Sequence, residues 1–406
     1  MRFALITALL LTAGCASYQS KVSESRSLLK QGRTTEALAK LETLAQEESK
    51  DQLIYLLDYA TALQVIGDYK QSTQVFLKAD RFADLQDYHS VTNVVGATLG
   101  GEESIQYKGE SFEKFLINTM LALNFLSQNN QESALVEARR INEKISKMRM
   151  DGREPYELSP FAKYLSGLVW ESQGRFDDAY ISFEQTYQLD PSIPFIKEDL
   201  VRGAIKARRS DSAQDWKKKF SEVQESDLWL NRQRGELVVL VQQGWGPVKG
   251  ARPGDYTFPQ LFPQRSETAY AQVSVDGQPV KTTQVVYNIE KVAIETMNKD
   301  YGALVARRVG GVAAKAVVAD QVRQQNQLLG DLAWIAMNVA DRADVRQWST
   351  LPETIQMARL QLPPGKYKIK IHGISSGGTP TGEALEDVPV LIKSGQRSFV
   401  TWRALK

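Results

Sequence analysis

The sequence predicts an α + β protein with two separate domains, a helical-hairpin solenoid first and an antiparallel β-sandwich-like domain after it. Two observations support this prediction. From Ser20 to about Arg234, apolar side chains recur three and four positions apart, which is typical of amphipathic helices. From Gly235 onward, short β-branched runs alternate with Gly, Pro and Asp-Gly turns, which is typical of strands. We therefore expect a helical domain over residues 15–234 and a β-rich domain over residues 235–406.

Composition places the chain among ordinary globular proteins. Of its 406 residues, 42% are hydrophobic and 24% are charged, and its formal net charge is +2. This near-neutral balance, without a basic stripe, gives no indication of nucleic-acid binding. No disulfide can form, because Cys15 is the only cysteine.

The helical half shows a repeat. Gly32, Gly67 and Gly174 each lie between two helical runs, the first two 35 residues apart. A period of about 34 residues predicts stacked helical hairpins, about four or five in this half. Such a stack has a concave groove that usually holds a peptide or a partner protein. Tyr55, Tyr59 and Asn118 are the candidate groove residues.

Residues 165–191 carry the clearest unit of this repeat. They resemble a tetratricopeptide repeat (TPR), because small, aromatic and turn residues fall at that family's signature spacings: Gly167, Trp170, Gly174, Phe176, Ala179, Phe183 and Pro191. The small residues allow close helix approach, the aromatic residues fill the space between the helices, Gly174 makes the turn and Pro191 ends the second helix. We expect these seven residues to pack the repeat.

Strand signals divide the second half. Residues 236–242, 268–275, 278–289, 355–362, 366–371, 388–393 and 398–404 read as strands, with a hairpin turn at Asp276-Gly277. Residues 252–264 contain Pro253, Pro259 and Pro263, so we expect an extended surface loop there. The segment 362–369 resembles carbohydrate-associated and surface β-domains in which a Pro-Gly-x-Tyr turn begins a strand.

A helical insertion at about residues 291–346 interrupts the strands. It contains an Ala- and Gly-rich run, 301–322, and a more apolar run, 328–339. One interpretation is a helical hairpin that covers a face of the sandwich. The other is a movable element that contacts lipid or a partner. Neither run reaches the ~20 apolar residues of a membrane-spanning helix.

The amino terminus predicts export. Arg2 is followed by an apolar core of about nine residues, which is typical of a signal peptide. The segment 11–15, Leu-Thr-Ala-Gly-Cys, resembles the bacterial lipobox. This resemblance implies removal of residues 1–14 and acylation of Cys15, for example with palmitate. Two or more acyl chains hold a protein stably on a membrane. Ala16 and Ser17 imply, by the same resemblance, sorting to the outer membrane.

The residues give no indication of an active site. His89 and His372 are the only histidines and stand far apart in the sequence, so the chain has no two-histidine metal motif and no Cys–His pair. A nucleophile elbow of the form Gly-x-Ser-x-Gly is also missing. We expect no cofactor, no metal and no enzymatic activity.

The order of lipobox, irregular TPR hairpins and a β-rich end, with residues 346–352 (RQWSTLP) and 356–359 (QMAR), resembles a family of proteobacterial TPR-containing outer-membrane lipoproteins. That resemblance implies work in the cell envelope. We expect a non-catalytic, lipid-anchored periplasmic scaffold or adaptor that binds envelope proteins through its groove, in cell-wall or outer-membrane assembly. The alternative is binding or processing of peptidoglycan or another polysaccharide through the β-domain.

Overall fold

The computed structural model describes residues 18–88, 106–150, 159–230, 233–332 and 342–406. Residues 1–14 and Cys15, on which the predicted export and acylation depend, lie outside the described residues, as does 333–341 of the predicted insertion. Among the helices of these ranges, none meets the length and hydropathy that a bilayer-spanning helix requires.

The first half consists of consecutive helices that pack as antiparallel pairs. Within the described residues these helices are α1 Tyr18–Lys30, α2 Thr34–Gln46, α3 Gln52–Val65, α4 Tyr69–Tyr88, α5 Ser111–Ser127, α6 Gln131–Met150, α7 Pro160–Ser172, α8 Phe176–Leu189, α9 Ile196–Lys206 and α10 Ser210–Lys219. Gly32, Gly67 and Gly174 make three of the tight turns with positive φ angles of 74°, 76° and 71°. The helical-hairpin prediction for this half is therefore confirmed.

The second half is built on two four-stranded sheets and one small hairpin. Its strands are β1 Gly235–Gln243, β2 Val248–Arg252, β3 Asp255–Phe262, β4 Tyr270–Val275, β5 Gln278–Thr282, β6 Gln284–Asn288, β7 Thr354–Leu362, β8 Gly365–Ile374, β9 Pro380–Ile392 and β10 Arg397–Ala404. The inner sheet has the order β10-β1-β7-β6 and the outer sheet the order β5-β4-β8-β9. All pairs in these two sheets are antiparallel except β1 with β10, which run parallel with Val239 opposite Val400.

The two sheets form the predicted sandwich, and the inner sheet also has a second buried face. Leu237, Val239 and Val241 of β1 point into the core between the sheets. Val238 and Leu240 point the other way, into a core shared with the helical half. Every residue of β1 is buried as a result. The molecule therefore has three layers, with the inner sheet between the outer sheet and the helices.

The expectation of an extended loop over residues 252–264 is wrong. This stretch contains the turn and second strand of the β2–β3 hairpin, in which Pro259 lies opposite Ala251. Gly254 allows the tight turn with a φ of 83°. Proline is tolerated because β3 has a neighbouring strand on one side only, so no ladder hydrogen bond needs its missing N–H.

The predicted insertion forms one long helix, α11 Ile289–Gln325, after which residues 327–332 are again helical. Ile289 and Ala293 near its start are buried, and Tyr301 packs on Phe258 of β3 with ring centroids 5.5 Å apart. Further along, Val312 and Val317 are exposed. The described part of the insertion contacts β3 and β7. The helical repeats cover the second buried face of the inner sheet.

Candidate functional site

The concave face of the repeats is formed by the first helix of each pair. Residues 52–64 of α3 and residues 160–171 of α7 are buried without exception. One side of each helix packs on its partner in the pair, and the opposite side faces the inner sheet or the residues that flank it. A helix that is buried all round in this way requires apolar residues all round, which the α3 sequence QLIYLLDYATALQV largely supplies.

Residues Ala343–Leu351, the inserted segment, lie against this face without regular secondary structure. The Trp348 side chain is 1% exposed, and its ring centroid is 5.6 Å from that of Phe76 in α4. Its indole Nε1 donates a hydrogen bond to Thr61 Oγ1 at 3.0 Å, and its backbone N donates to Glu113 Oε1 at 2.7 Å. Trp348 therefore ties the segment to three helices.

Asp58 of α3 binds the next two residues of the inserted segment. Its carboxylate accepts hydrogen bonds from Ser349 Oγ, Thr350 N and Thr350 Oγ1, each at 2.9 Å. The Tyr18 hydroxyl of α1 donates a longer bond of 3.4 Å to the same carboxylate. Burial raises the pKa of Asp58 to about 6, although the hydrogen bonds from Ser349 and Thr350 oppose that rise.

Glu113 of α5 is the second buried carboxylate at this position. It accepts hydrogen bonds from the Tyr107 hydroxyl at 2.6 Å and from Glu110 N at 2.9 Å, besides that from Trp348. Burial raises the pKa of Glu113 to about 7, and the neighbouring Glu110 adds to the effect. Lys249 of β2 pairs with Glu110 at 2.5 Å, which keeps this charge balanced.

A network of buried ion pairs joins the other end of the concave face to the inner sheet. Its members come from α7, α9, β1, β7 and β10: Glu171, Asp199, Arg202, Glu236, Arg359 and Arg397. Glu171 Oε2 lies 2.8 Å from Arg202 and 3.1 Å from Arg397. Burial alone would raise the pKa of Glu171, but Arg202, Arg397 and Lys206 outweigh it and hold that pKa well below its ordinary value. Arg359 and Arg397 similarly lower the pKa of Glu236 to about 2, against the effect of burial.

The concave face is consequently not the open groove that the repeats by themselves predicted. Tyr55, Tyr59 and Asn118 are all buried. Tyr55 stacks on Tyr18 with centroids 5.9 Å apart, and Asn118 donates to Glu137 at 2.8 Å. The expected route of partner binding, through a free groove, is wrong because the inner sheet and the inserted segment already fill it.

Several solved structures of MamA proteins resemble part of this chain. "MamA RS-1 ArsTM double mutant" is 19% identical, with a TM-score of 0.34, and the match covers 49% of this chain and 90% of that one. "MamA 41-end from Desulfovibrio magneticus RS-1" is also 19% identical, with a TM-score of 0.33 and coverage of 49% and 89%. "MamA AMB-1 P212121" is 18% identical, with a TM-score of 0.32 and coverage of 50% and 96%. The likeness concerns about half of this chain, and no function follows from it.

No family model matches the sequence, and no curated protein matches it either.

The predicted repeat-packing residues lie around the α7–α8 hairpin. A Cβ atom added to Gly167 would lie 2.6 Å from the Phe183 ring, so these two helices are in very close contact. Gly174 is in the turn, Phe176 is the first residue of α8, and Pro191 follows the end of α8. Trp170, Ala179 and Phe183 are buried.

The described residues contain no group of three His, Cys, Asp or Glu side chains that could hold a metal ion. A cavity beside Trp348, lined among others by Phe112, Lys249 and Met297, has a volume of about 20 Å³. That is room for about one water molecule. The carboxylates with shifted pKa values serve here as contacts between the two halves.

The sequence contained a signal for this closed face that periodicity did not reveal. The β1 run GELVVLVQQ lacks the alternation of a sheet with one wet face, and near-continuous apolar runs indicate burial on both faces. Together with the all-round apolar α3, it indicates that helices and sheet pack on each other. The charged members of the network are far apart in sequence, so no local motif could have predicted their pairing.

Proposed function

We propose that this protein is a non-catalytic scaffold of the bacterial cell envelope, anchored by lipid at Cys15 and facing the periplasm from the outer membrane. The observation that carries the proposal is the closed concave face, because it joins repeats and sandwich through one shared apolar core. The lipobox and the short apolar core before it support the anchor. Two halves that share a core on a membrane tether are suited to holding partner proteins in position.

The partner surface in this proposal is the exposed side of α11, where Val312 and Val317 lie, together with the short helix that follows it. The opposite side of α11 is partly buried, at Lys315 and Ala319. From Tyr301 to Gln325 the helix extends about 36 Å. Beyond its end, Leu328, Leu329 and Leu332 are 69%, 55% and 53% exposed. Exposed leucines clustered on one element are a common sign of an interaction site. A partner in cell-wall or outer-membrane assembly would bind here, since the groove is occupied.

Site-specific photocrosslinking in intact cells tests this partner surface. A crosslinking residue at Leu329 should capture a discrete envelope protein, whereas the same residue at Ile66, an exposed apolar position at the end of α3, should not. Equal capture at both positions, or none at Leu329 in cells that express the protein normally, contradicts the assignment.

Membrane fractionation tests the anchor separately. Cys15→Ala should leave the folded protein in the soluble periplasmic fraction, because two acyl chains supply the stable attachment in this proposal. Mass spectrometry of the mature amino terminus is the matched measurement. An unmodified terminus on a washable protein would remove the lipid anchor from the proposal.

The second candidate function is binding of peptidoglycan or another polysaccharide by the β-domain. The exposed Tyr256 at the β2–β3 turn favours it, since this ring is 78% exposed at the edge of the domain. Sedimentation with purified sacculi should use the full chain, because residues 235–406 alone would expose the buried face of the inner sheet. Co-sedimentation that Tyr256→Ala abolishes supports this candidate, and absence of the protein from the pellet rejects it.

A further inference from the structure

Three cationic side chains surround the indole of Trp245, which follows β1. The guanidinium carbon of Arg26 and the Nζ atom of Lys30 each lie 5.2 Å from the ring centroid. The guanidinium carbon of Arg403 in β10 lies 5.8 Å from it. We call these four residues the cationic cluster. Each cation is attracted by the indole ring, yet the three repel one another.

Several hydrogen-bond donors of the cluster have no acceptor among the described residues. Nε and Nη2 of Arg26, Nε of Arg403 and Nε1 of Trp245 are buried, and none bonds to an acceptor in the described parts of the chain. The two Arg26 atoms form one edge of the guanidinium, the edge that binds two oxygens of a carboxylate or phosphate side by side. A buried donor without an acceptor is destabilising by about 1–3 kcal/mol. A bound oxyanion would supply the missing acceptors and remove this cost.

Charge balance in the cluster supports the same conclusion. No carboxylate within the described ranges forms an ion pair with Arg26, Lys30 or Arg403, whereas Arg202, Arg359 and Arg397 of the buried network each bind one. Lys30 donates instead to the side-chain oxygen of Gln264 at 3.1 Å.

Arg403 is also bound by neutral groups. It donates to the backbone carbonyl oxygens of Gln242, Thr350 and Ala404. Burial lowers the pKa of Arg403 to about 9, and it lowers the pKa of Arg26 as well. Asp58 acts against this lowering at Arg26 and Glu383 acts against it at Arg403, but burial outweighs both. An anion bound in the cluster would add to the attraction of these carboxylates.

We propose that the cationic cluster binds a phosphate group. Three positive charges match a phosphate, which carries up to two negative charges, better than a carboxylate, which carries one. Arg26 would hold two phosphate oxygens through its free edge and Lys30 would contact a third. Lys30 is exposed and Arg26 is half-buried, but the Nε and Nη2 atoms of Arg26 are buried. A phosphate therefore reaches this edge when the long, flexible side chains of Arg26 and Lys30 move aside. The phosphate comes either from a free phosphate compound or from a phospholipid headgroup.

Thermal melting with inorganic phosphate tests the free-phosphate source. The full chain carrying Cys15→Ala is used throughout, which keeps acylation out of the comparison. Phosphate, at constant ionic strength, should raise the melting temperature by about 2 °C or more, because a ligand bound only to the folded state stabilises it. Arg26→Met should abolish the shift, and Lys21→Met, on an exposed position of the same helix, should keep it.

Flotation with vesicles tests the headgroup source. Phosphatidylglycerol vesicles should carry the Cys15→Ala chain and its Lys21→Met form, and should not carry the Arg26→Met form, with phosphatidylcholine vesicles as the neutral comparison. Binding in the first assay assigns a free phosphate, and binding in the second alone assigns a lipid headgroup. The proposal is overturned if neither probe binds or if Arg26→Met binds like its parent.

The melting temperature without ligand separates this proposal from a structural role for Arg26. Arg26→Met removes a half-buried cation whose buried Nε and Nη2 atoms have no acceptor among the described residues. This variant should therefore melt at or above the temperature of its parent in phosphate-free buffer. A lower melting temperature, together with no phosphate effect on the parent, would mean that Arg26 acts only by packing on Trp245.

Discussion

Trp348→Ala tests whether the inserted segment holds the two halves together. The side chain is 1% exposed, packs on Phe76, and donates from its indole to the hydroxyls of Thr61 and Thr350 at 3.0 and 3.2 Å. Truncation of a buried tryptophan to alanine is destabilising by about 3–5 kcal/mol, from lost burial and the cavity that remains. We expect most of that loss of stability for Trp348→Ala, because the packed helices α3, α4 and α5 cannot move together to fill the cavity.

Urea unfolding measured by circular dichroism and by tryptophan fluorescence is the assay. The midpoint should fall for Trp348→Ala, and the two signals should still change together, because one apolar core runs from the helices to the inner sheet. Trp348→Phe should lose less, about 1–2 kcal/mol, since it keeps a ring but not the N–H donor. Tyr256→Ala, at an exposed ring, should stay within about 0.5 kcal/mol of the parent.

Either of two results would refute this reasoning. A loss below about 1 kcal/mol for Trp348→Ala would mean that the segment does not occupy the concave face as described. Separate unfolding transitions for the helical and fluorescence signals in the parent would mean that the two halves do not share a core.

Three further predictions concern the interior. Gly167→Ala should be destabilising by about 1–3 kcal/mol, because its Cβ would meet the Phe183 ring, whereas Gly302→Ala, with no atom within 4 Å, should be stabilising by about 0.5–1 kcal/mol in the same urea assay. Arg397→Gln should lower the free energy of unfolding by about 3–5 kcal/mol in urea, because Glu171 and Glu236 each lose a buried ion-pair partner. If 1 M salt alone lowers the stability of the parent by the same amount, these ion pairs are screened by solvent and are not buried. Burial raises the pKa of Asp58 from 3.8 to about 6, so the folded chain binds this proton more tightly than the unfolded chain, and the stability that this group contributes falls as pH rises between those values. Asp58→Asn should therefore reduce the pH dependence of the free energy of unfolding over this range, by up to roughly 3 kcal/mol in the urea assay. An unchanged pH dependence would count against a raised pKa.

The sequence predicted the structure correctly where a few neighbouring residues determine the local conformation. Gly32, Gly67 and Gly174 fall at helix–helix turns because a positive φ suits glycine, and the turn lies between two amphipathic runs. Asp276-Gly277 likewise forms the β4–β5 turn, with positive φ at both residues. These features depend on a few neighbouring residues, so they could be predicted without the rest of the chain.

The β2–β3 hairpin shows where a local rule failed. Three prolines suggested a loop, yet Pro259 lies in a strand with a neighbour on one side only. Whether a strand has neighbours on one or both sides depends on the whole sheet, and a single stretch of sequence does not contain that information.

The sequence alone determined the division into helices and strands. It also determined that the first half consists of helical hairpins and that the second half is a sandwich. The periods at which apolar residues recur, 3.6 residues in a helix and 2 in a strand, indicate which side of the element is apolar. These periods do not indicate which part of the chain covers that side. Only the tertiary structure decided that the inner sheet and Trp348 fill the concave face, because burial there depends on contacts between residues nearly three hundred positions apart, such as Asp58 with Thr350.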